Sequence, residues 1–173
     1  MKIPFSPPYI DANVINEVVD SLKSGWITTG PKVKALEEEI GKISGVKNVL
    51  CINSWTSGAI LMLRWLGLQP GDEVIVPAYT YSATAIAVLW AGGKPVMVDS
   101  TEDFNISVEG IKNAITEKTK AIIPVDIAGF PCDYDAIMEL VKSEKIKALF
   151  HATSEIQEKL GRILVLSDSA HSI

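Results

Sequence analysis

The residues best suited to chemistry lie where predicted strands end. The segment LVLSDSAHSI at 164–173 has the pattern of a buried strand followed by an acid, Asp168, and an imidazole, His171. A carboxylate in this place can pair with a cationic ring nitrogen, and a histidine can donate a hydrogen bond to a ligand oxygen. The alternatives are that Asp168 caps a following helix and that His171 is structural. We expect no metal ion, because these two residues lack a third ligand.

A second polar segment, NSWTSG at 53–58, opens a predicted helix. The free backbone N–H groups and the dipole at a helix N-terminus favour an anion, most often a phosphate. The hydroxyls of Thr56 and Ser57 would add two hydrogen bonds, unless one of these residues only caps the helix. Tyr81 follows the next predicted strand, and its ring either stacks on a flat cofactor or packs in the core. In chain order, the sequence thus offers an anion site, an aromatic ring and an acid with a polar partner.

Strand and helix signals alternate from about residue 46 onward, and these elements must position the polar groups. Continuously apolar strands between amphipathic helices indicate a parallel sheet that is covered on both faces. Strands are predicted at 47–52, 72–78, 94–99, 120–126 and 162–168, and helices at 57–67, 82–92, 107–116, 133–143 and 153–161. Ligands of such sheets bind outside the carboxyl ends of the strands, so we expect the polar groups to converge at one edge.

Two further helices are predicted before this block. Apolar residues recur at helical spacing over 11–24, between an Asp that is suited to capping and a Gly that ends the pattern. The same spacing recurs over 32–43. We therefore interpret residues 1–45 as an N-terminal helical arm and residues 46–173 as the α/β domain.

Composition and charge argue against several classes of protein. The chain has 173 residues, of which 47% are hydrophobic, so it can form one domain with a sizeable core. Its net charge is −5 and its lysines are scattered, which argues against a nucleic-acid surface. Apolar runs are too short to cross a bilayer, and prolines stand where a signal peptide needs its apolar core. We expect a cytoplasmic protein that binds neither nucleic acid nor membranes.

The order of these features resembles the sugar aminotransferases of the DegT/DnrJ/EryC1/StrS family, which are pyridoxal 5'-phosphate (PLP) enzymes of fold type I. The resemblance covers essentially the whole chain and is carried by GWITTGPKVKALEEEI (25–40), NSWTSGAILML (53–63), GDEVIVPAYTYSATA (71–85), GGKPVMVD (92–99), KTKAIIPVDIAGFPCDYDAI (118–137) and SDSAHS (167–172). It implies an α/β fold with the doubly wound, mostly parallel sheet of the fold type I large domain, which would be incomplete here.

The resemblance also implies a role for each candidate residue. Thr56 and Ser57 would bind the cofactor phosphate, and Tyr81 would stack on the pyridine ring. Asp168 would pair with the ring nitrogen, and His171 would hydrogen-bond the ring's phenolic oxygen, where the family often has glutamine. The Asp168 partner keeps the ring nitrogen protonated, so that the ring accepts electrons when the substrate Cα–H bond breaks. The implied reaction moves an amino group, typically from glutamate, onto a nucleotide-linked keto sugar.

The sequence departs from the family's pattern in three places. Trp55 stands where the family commonly has glycine, and Ser167 stands where it often has glutamate. The family's Schiff-base lysine lies well downstream of the segment from Asp168 to His171, and no lysine of this chain sits in a comparable motif. We therefore expect the N-terminal part of a larger subunit, a homodimer at full length, and little or no transamination by this chain alone.

The same residues also fit two other interpretations. In the first interpretation, the chain is a non-catalytic fragment that binds PLP or phosphate weakly, or that serves only in assembly. Alternatively, it belongs to another α/β enzyme that uses Asp168 and His171 as an acid–base pair.

Overall fold

A computed structural model of the chain describes residues 7–172, which fall into two units. The first unit is Met1–Cys51 and the second is Ile52–Ile173. The first contains two helices, and the second combines helices with a sheet. The functional division into an arm over 1–45 and a domain over 46–173 stays a prediction.

The first unit contains the two predicted helices, α1 (Ala12–Ser24) and α2 (Pro31–Ser44). The carboxylate of Asp11 accepts the backbone N–H of Val14 and caps α1, which ends at Gly25 in the left-handed conformation, with a φ of 72°. Neither helix buries a residue. The apolar side of α1 is therefore left exposed by the described chain, at Val14, Ile15, Val18, Val19 and Leu22.

The second unit is built on a four-stranded parallel sheet, as the alternating pattern predicts. Its strands lie in the order β2-β1-β3-β4. They are β1 (Glu73–Pro77), β2 (Lys94–Val98), β3 (Thr119–Ile122) and β4 (Leu164–Val165). The helices are α3 (Trp55–Trp65), α4 (Ala83–Ala91), α5 (Val108–Ala114), α6 (Tyr134–Lys142), α7 (Glu144–Leu149) and α8 (Glu155–Leu160), with a short 3-10 helix at Ile127–Gly129.

Alternate side chains of β1 enter two separate cores, because successive residues of a strand point to opposite faces. Ile75 belongs to one core cluster, to which α5, α6 and α7 contribute. Val74 and Val76 belong to the other, to which α3 and α4 contribute. All three residues are fully buried. Helices therefore cover both faces of the sheet, which confirms the predicted α/β fold.

The prediction of a strand at 47–52 is wrong. This segment is irregular and pairs with no strand of the described chain. Leu50 is 70% exposed and Ile52 is 46% exposed. Side chains of this kind favour extended backbone, but a strand exists only where a neighbouring backbone completes the hydrogen-bond ladder.

Helix α7 is absent from the sequence prediction. The ψ of Ser143 is 142°, so the backbone leaves the helical conformation after α6 and begins a new helix of 6 residues. A helix this short spans less than two turns and shows no readable apolar periodicity.

We expect Ile75→Ala to lower the free energy of unfolding by about 2–4 kcal/mol, because it leaves a cavity in a fully buried cluster. Ile86→Ala, at an exposed position of α4, is the matched control and should change it by less than about 1 kcal/mol. Urea denaturation followed by circular dichroism measures both values. Equal losses would contradict the placement of Ile75 in the core.

Candidate functional site

The carboxyl ends of the four parallel strands meet at one edge of the sheet, and the predicted polar residues follow them there. Two contacts between distant parts of the sequence form at this edge. The Thr84 hydroxyl donates to the Asp168 carboxylate at 3.0 Å. The Trp55 ring N–H donates to the Ser167 carbonyl oxygen at 3.2 Å. The starts of α3 and α4 are therefore both joined to the segment that follows β4.

The backbone around Asp168 is fixed by an extension of the β3–β4 pairing. The Asp168 N–H donates to the Pro124 carbonyl at 2.8 Å, and the Asp126 N–H donates to the Asp168 carbonyl at 3.0 Å. Regular β3 ends before Pro124, which has no N–H to continue the ladder. The regular strands β3 and β4 are therefore shorter than the predicted strands at 120–126 and 162–168. The residues beyond their carboxyl ends still pair with each other.

The Asp168 side chain is buried, but only one of its two carboxylate oxygens has a hydrogen-bond partner in the described chain. It is 6% exposed, and its Oδ2 accepts the Thr84 hydroxyl. Its Oδ1 is buried without a hydrogen-bond partner in the described chain. Such an oxygen is costly to leave unpaired, so it marks a place where a ligand donor would be favourable. Within the described residues a turn follows Asp168, and the alternative that Asp168 caps a following helix stays a prediction.

Burial raises the pKa of the Asp168 carboxyl, and the hydrogen bond from Thr84 together with the nearby Ala170 backbone N–H offsets only part of this increase. The charged form is disfavoured because little water reaches it. A cationic N–H donor placed at Oδ1 would reverse that preference. The geometry and the electrostatics of Asp168 therefore fit a protonated ring nitrogen.

Thr84 is a site residue that sequence reasoning did not single out. It lies in the first turn of α4 and is 1% exposed. Its hydroxyl also lies 3.2 Å from that of Thr80. The weak signal in the sequence is a hydroxyl residue at the start of an otherwise apolar helix. Its partner, Asp168, is 84 positions away, and no local pattern reveals that contact.

The N-terminus of α3 is the predicted anion site, and its cap is Ser54. The Ser54 hydroxyl oxygen accepts the Ser57 N–H at 3.1 Å and lies 3.0 Å from the Ser57 hydroxyl. The alternative that Thr56 or Ser57 caps the helix is therefore wrong, and both residues lie within its first turn. Their hydroxyls and the first N–H groups of α3 fit the binding of a phosphate.

Trp55, which stands where the family commonly has glycine, packs against the core. Its ring contacts the core cluster that contains Val74 and Val76. Together with the hydrogen bond to Ser167, this contact fixes the start of α3 beside the residue that precedes Asp168. The predicted phosphate and ring-nitrogen positions are thereby brought to one edge of the sheet.

Tyr81 and His171 are both exposed at this edge. The ring of Tyr81 is 81% exposed, so the alternative that it packs in the core is wrong. The Tyr81 carbonyl accepts the Thr84 N–H at 3.2 Å, which places Tyr81 one turn from the residue that contacts Asp168. Neither the Tyr81 nor the His171 side chain forms a hydrogen bond with another described residue. The structure therefore leaves both rings open to a ligand.

In residues 7–172, no group of three or more His, Cys, Asp and Glu side chains is arranged to hold a metal ion. Within the same residues, every helix is too short or too polar to cross a membrane.

We expect Asp168→Asn to stabilise the chain at pH 7 by roughly 1–2 kcal/mol, because it removes a buried charge. The raised pKa means that Asp168 opposes folding once the pH exceeds the ordinary carboxyl value of 3.8, and not below it. The gain should therefore shrink towards pH 3. Urea denaturation at both pH values measures it. Asp135→Asn, an exposed change, is the control, and a loss of stability at pH 7 in Asp168→Asn alone would contradict this account.

We expect Trp55→Phe to lower the free energy of unfolding by about 0.5–1.5 kcal/mol, because the ring stays but the hydrogen bond to Ser167 is lost. Trp90→Phe is the matched control, since Trp90 is 66% exposed. Denaturation should be followed by circular dichroism, because both changes alter the fluorescence. Equal effects of the two substitutions would show that the Trp55 hydrogen bond contributes nothing.

The chain is similar to known proteins both in sequence and in structure. The chain is 46% identical over 142 residues to the uncharacterised protein MJ1066 of Methanocaldococcus jannaschii, a match that covers 80% of this chain and 37% of that protein. It superposes with a TM-score of 0.93 and 48% identity on the PLP form of Spr1654 from Streptococcus pneumoniae, which is described as a sugar aminotransferase; the match covers 99% of this chain and 44% of that chain.

A more distant match is the E. coli GDP-4-keto-6-deoxy-D-mannose-3-dehydratase with bound hydrated PLP. Its TM-score is 0.76 at 29% identity, over 83% of this chain and 39% of that chain. The chain thus spans less than half the length of each of these relatives. The model of the DegT/DnrJ/EryC1/StrS aminotransferase family matches residues 8–160. The chain therefore belongs to the DegT/DnrJ/EryC1/StrS aminotransferase family.

Proposed function

We propose that this chain provides cofactor-binding residues of a PLP-dependent aminotransferase that transfers an amino group, with glutamate as donor, to a nucleotide-linked keto sugar. The observation that carries the proposal is the unpartnered, buried Oδ1 of Asp168 at the same sheet edge as the N-terminus of α3. A ring nitrogen and a phosphate are the two groups that these positions fit. The match to a sugar aminotransferase in its PLP form supports the choice of PLP.

Each residue has a separate task in this proposal. Asp168 accepts the ring N–H at Oδ1 and thereby keeps the ring nitrogen protonated. Thr56, Ser57 and the first N–H groups of α3 bind the phosphate. The bound cofactor supplies a ring that withdraws electrons from the substrate.

The two exposed rings complete the proposed site. Tyr81 offers an exposed face for stacking on a flat ring. His171 is exposed three positions after Asp168 and would donate to the ring's phenolic oxygen. The N-terminus of α3 is held beside this group by the hydrogen bond from Trp55 to Ser167.

The substrate class and the assembly are part of the proposal. The enzyme from E. coli is named for a keto sugar linked to GDP, and Spr1654 is described as a sugar aminotransferase, which together support a nucleotide-linked keto sugar. The exposed apolar side of α1 supports a homodimer, because uncovered faces of this kind favour association.

A specific observation favours a second function, the reversible binding of PLP without catalysis. No described lysine forms a hydrogen bond or an ion pair with any of the five candidate residues. With no described lysine in contact with the site, none of residues 7–172 is placed to attach the cofactor covalently. The chain would then bind the cofactor but not turn over substrate.

We expect Asp168→Asn to weaken binding of pyridoxamine 5'-phosphate to this chain about tenfold to a hundredfold, because a hydrogen bond between charged groups is lost. Isothermal titration calorimetry measures the affinity. This probe carries an amine, so it binds without reacting with a lysine. Asp135→Asn is the matched control and should leave the affinity unchanged. An unchanged affinity in Asp168→Asn would refute the proposed site.

Borohydride reduction in the presence of PLP separates the two candidate functions. Mass spectrometry that finds one labelled lysine would favour an enzyme in which this chain itself holds the cofactor covalently. Retention of pyridoxamine 5'-phosphate without a specific label would favour reversible binding by this chain.

A further inference from the structure

Asp126 is a second buried carboxylate at the same edge of the sheet, and it is 5% exposed. Its Oδ1 accepts the Cys132 N–H at 3.0 Å and the Tyr134 hydroxyl at 2.8 Å, both at the start of α6. Its Oδ2 accepts the hydroxyls of Ser169 at 2.7 Å and Ser172 at 3.0 Å. One carboxylate therefore joins α6 to the turn that follows Asp168.

Asp126 and Asp168 differ in the direction of their pKa shifts and in the number of donors that they accept. Burial favours a higher pKa for Asp126, but the hydrogen bonds from Ser169, the Cys132 N–H, Tyr134 and Ser172 outweigh it and hold the pKa below its ordinary value. Asp126 is thus ionised at neutral pH and its two oxygens share four donors. It has no free oxygen to offer a ligand, unlike Asp168, whose Oδ1 lacks a partner.

The turn that Asp126 holds has little support of its own. Residues 169–172 form neither helix nor strand, and their one internal backbone hydrogen bond runs from the Ser172 N–H to the Ser169 carbonyl at 3.1 Å. Hydroxyl donors to an ionised carboxylate make stronger hydrogen bonds than neutral pairs. The two serine hydroxyls therefore restrain the segment that carries His171.

The loop after Asp126 closes on the other side of the same turn. Gly129 has a φ of 82°, and a Cβ added there would lie 2.7 Å from the His171 carbonyl oxygen. The loop and the turn are thus in close backbone contact, and only a glycine permits it without a shift. Asp126 and Gly129 together limit where the segment from Asp168 to His171 can lie.

We propose that Asp126 is a positioning residue, which aims Asp168 and His171 at the ligand through the hydroxyls of Ser169 and Ser172 and does not itself touch the ligand. The identity of that ligand rests on the function proposed above. The restraint on the turn comes from hydrogen bonds within the chain and can be tested without any ligand. The competing view is that Asp126 only stabilises the fold through α6.

The test compares variants that each remove a hydroxyl donor from Asp126. Ser172→Ala acts on the turn, whereas Tyr134→Phe acts on α6 and serves as the matched control. We expect similar reductions of Tm in the two variants. We expect only Ser172→Ala, and more strongly Ser169→Ala combined with it, to shift or broaden the amide NMR signals of residues 168–172. Ser172→Thr keeps a hydroxyl and should restore the parent spectrum.

Affinity for pyridoxamine 5'-phosphate gives the second readout. The double serine variant should bind it roughly tenfold more weakly than the parent, and Tyr134→Phe should bind it as the parent does. Equal effects of Tyr134→Phe and the serine variants on both readouts would overturn the proposal, as would unchanged spectra in the serine variants. If the parent chain does not bind the probe, the proposed cofactor site fails, whereas the amide signals still decide the role of Asp126.

Discussion

The burial of one oxygen of Asp168 without a partner is the constraint on which the rest of the site depends. A carboxylate in this state opposes folding, so the surrounding structure must hold it in place. The β3–β4 pairing fixes its backbone, and Thr84 satisfies its other oxygen. The buried oxygen costs stability while it is unpaired and would become favourable with a cationic ring nitrogen beside it, which is a common relation between stability and function.

Two groups of contacts organise the edge of the sheet around this carboxylate. On one side, Trp55 attaches the start of α3 to Ser167, so that the N-terminus of this helix lies beside the segment that follows the last strand. On the other side, the proposed role of Asp126 joins α6 to the turn that carries His171. Both depend on a rigid sheet whose two faces are packed by separate core clusters. Precise placement of a ligand requires such support, because a small displacement removes a hydrogen bond.

The sequence predicted local elements well where their signals lie within a few residues of one another. The capping side chain of Asp11 and the Gly25 that ends α1 both occur where the pattern places them. The sequence prediction failed where an element needs a neighbouring strand to form, and where the element is very short. The segment 47–52 has a strand composition without a neighbouring strand, and α7 is too short to show a period.

The sequence by itself determined the α/β class, the alternation of strands and helices, and the candidate residues at the strand ends, because these follow from periodicity, caps and turns. The tertiary structure alone decided which carboxylate keeps an oxygen without a hydrogen-bond partner and which has donors to both of its oxygens. Asp126 and Asp168 each follow an apolar strand, and the strand patterns do not distinguish them. One oxygen of Asp126 accepts from Cys132 and Tyr134, which lie 6 and 8 positions away, but the donors to its other oxygen lie 43 and 46 positions away. The side-chain donor of Asp168, Thr84, lies 84 positions away. Contacts at such separations depend on how the strands are ordered in the sheet, which no short stretch of residues encodes.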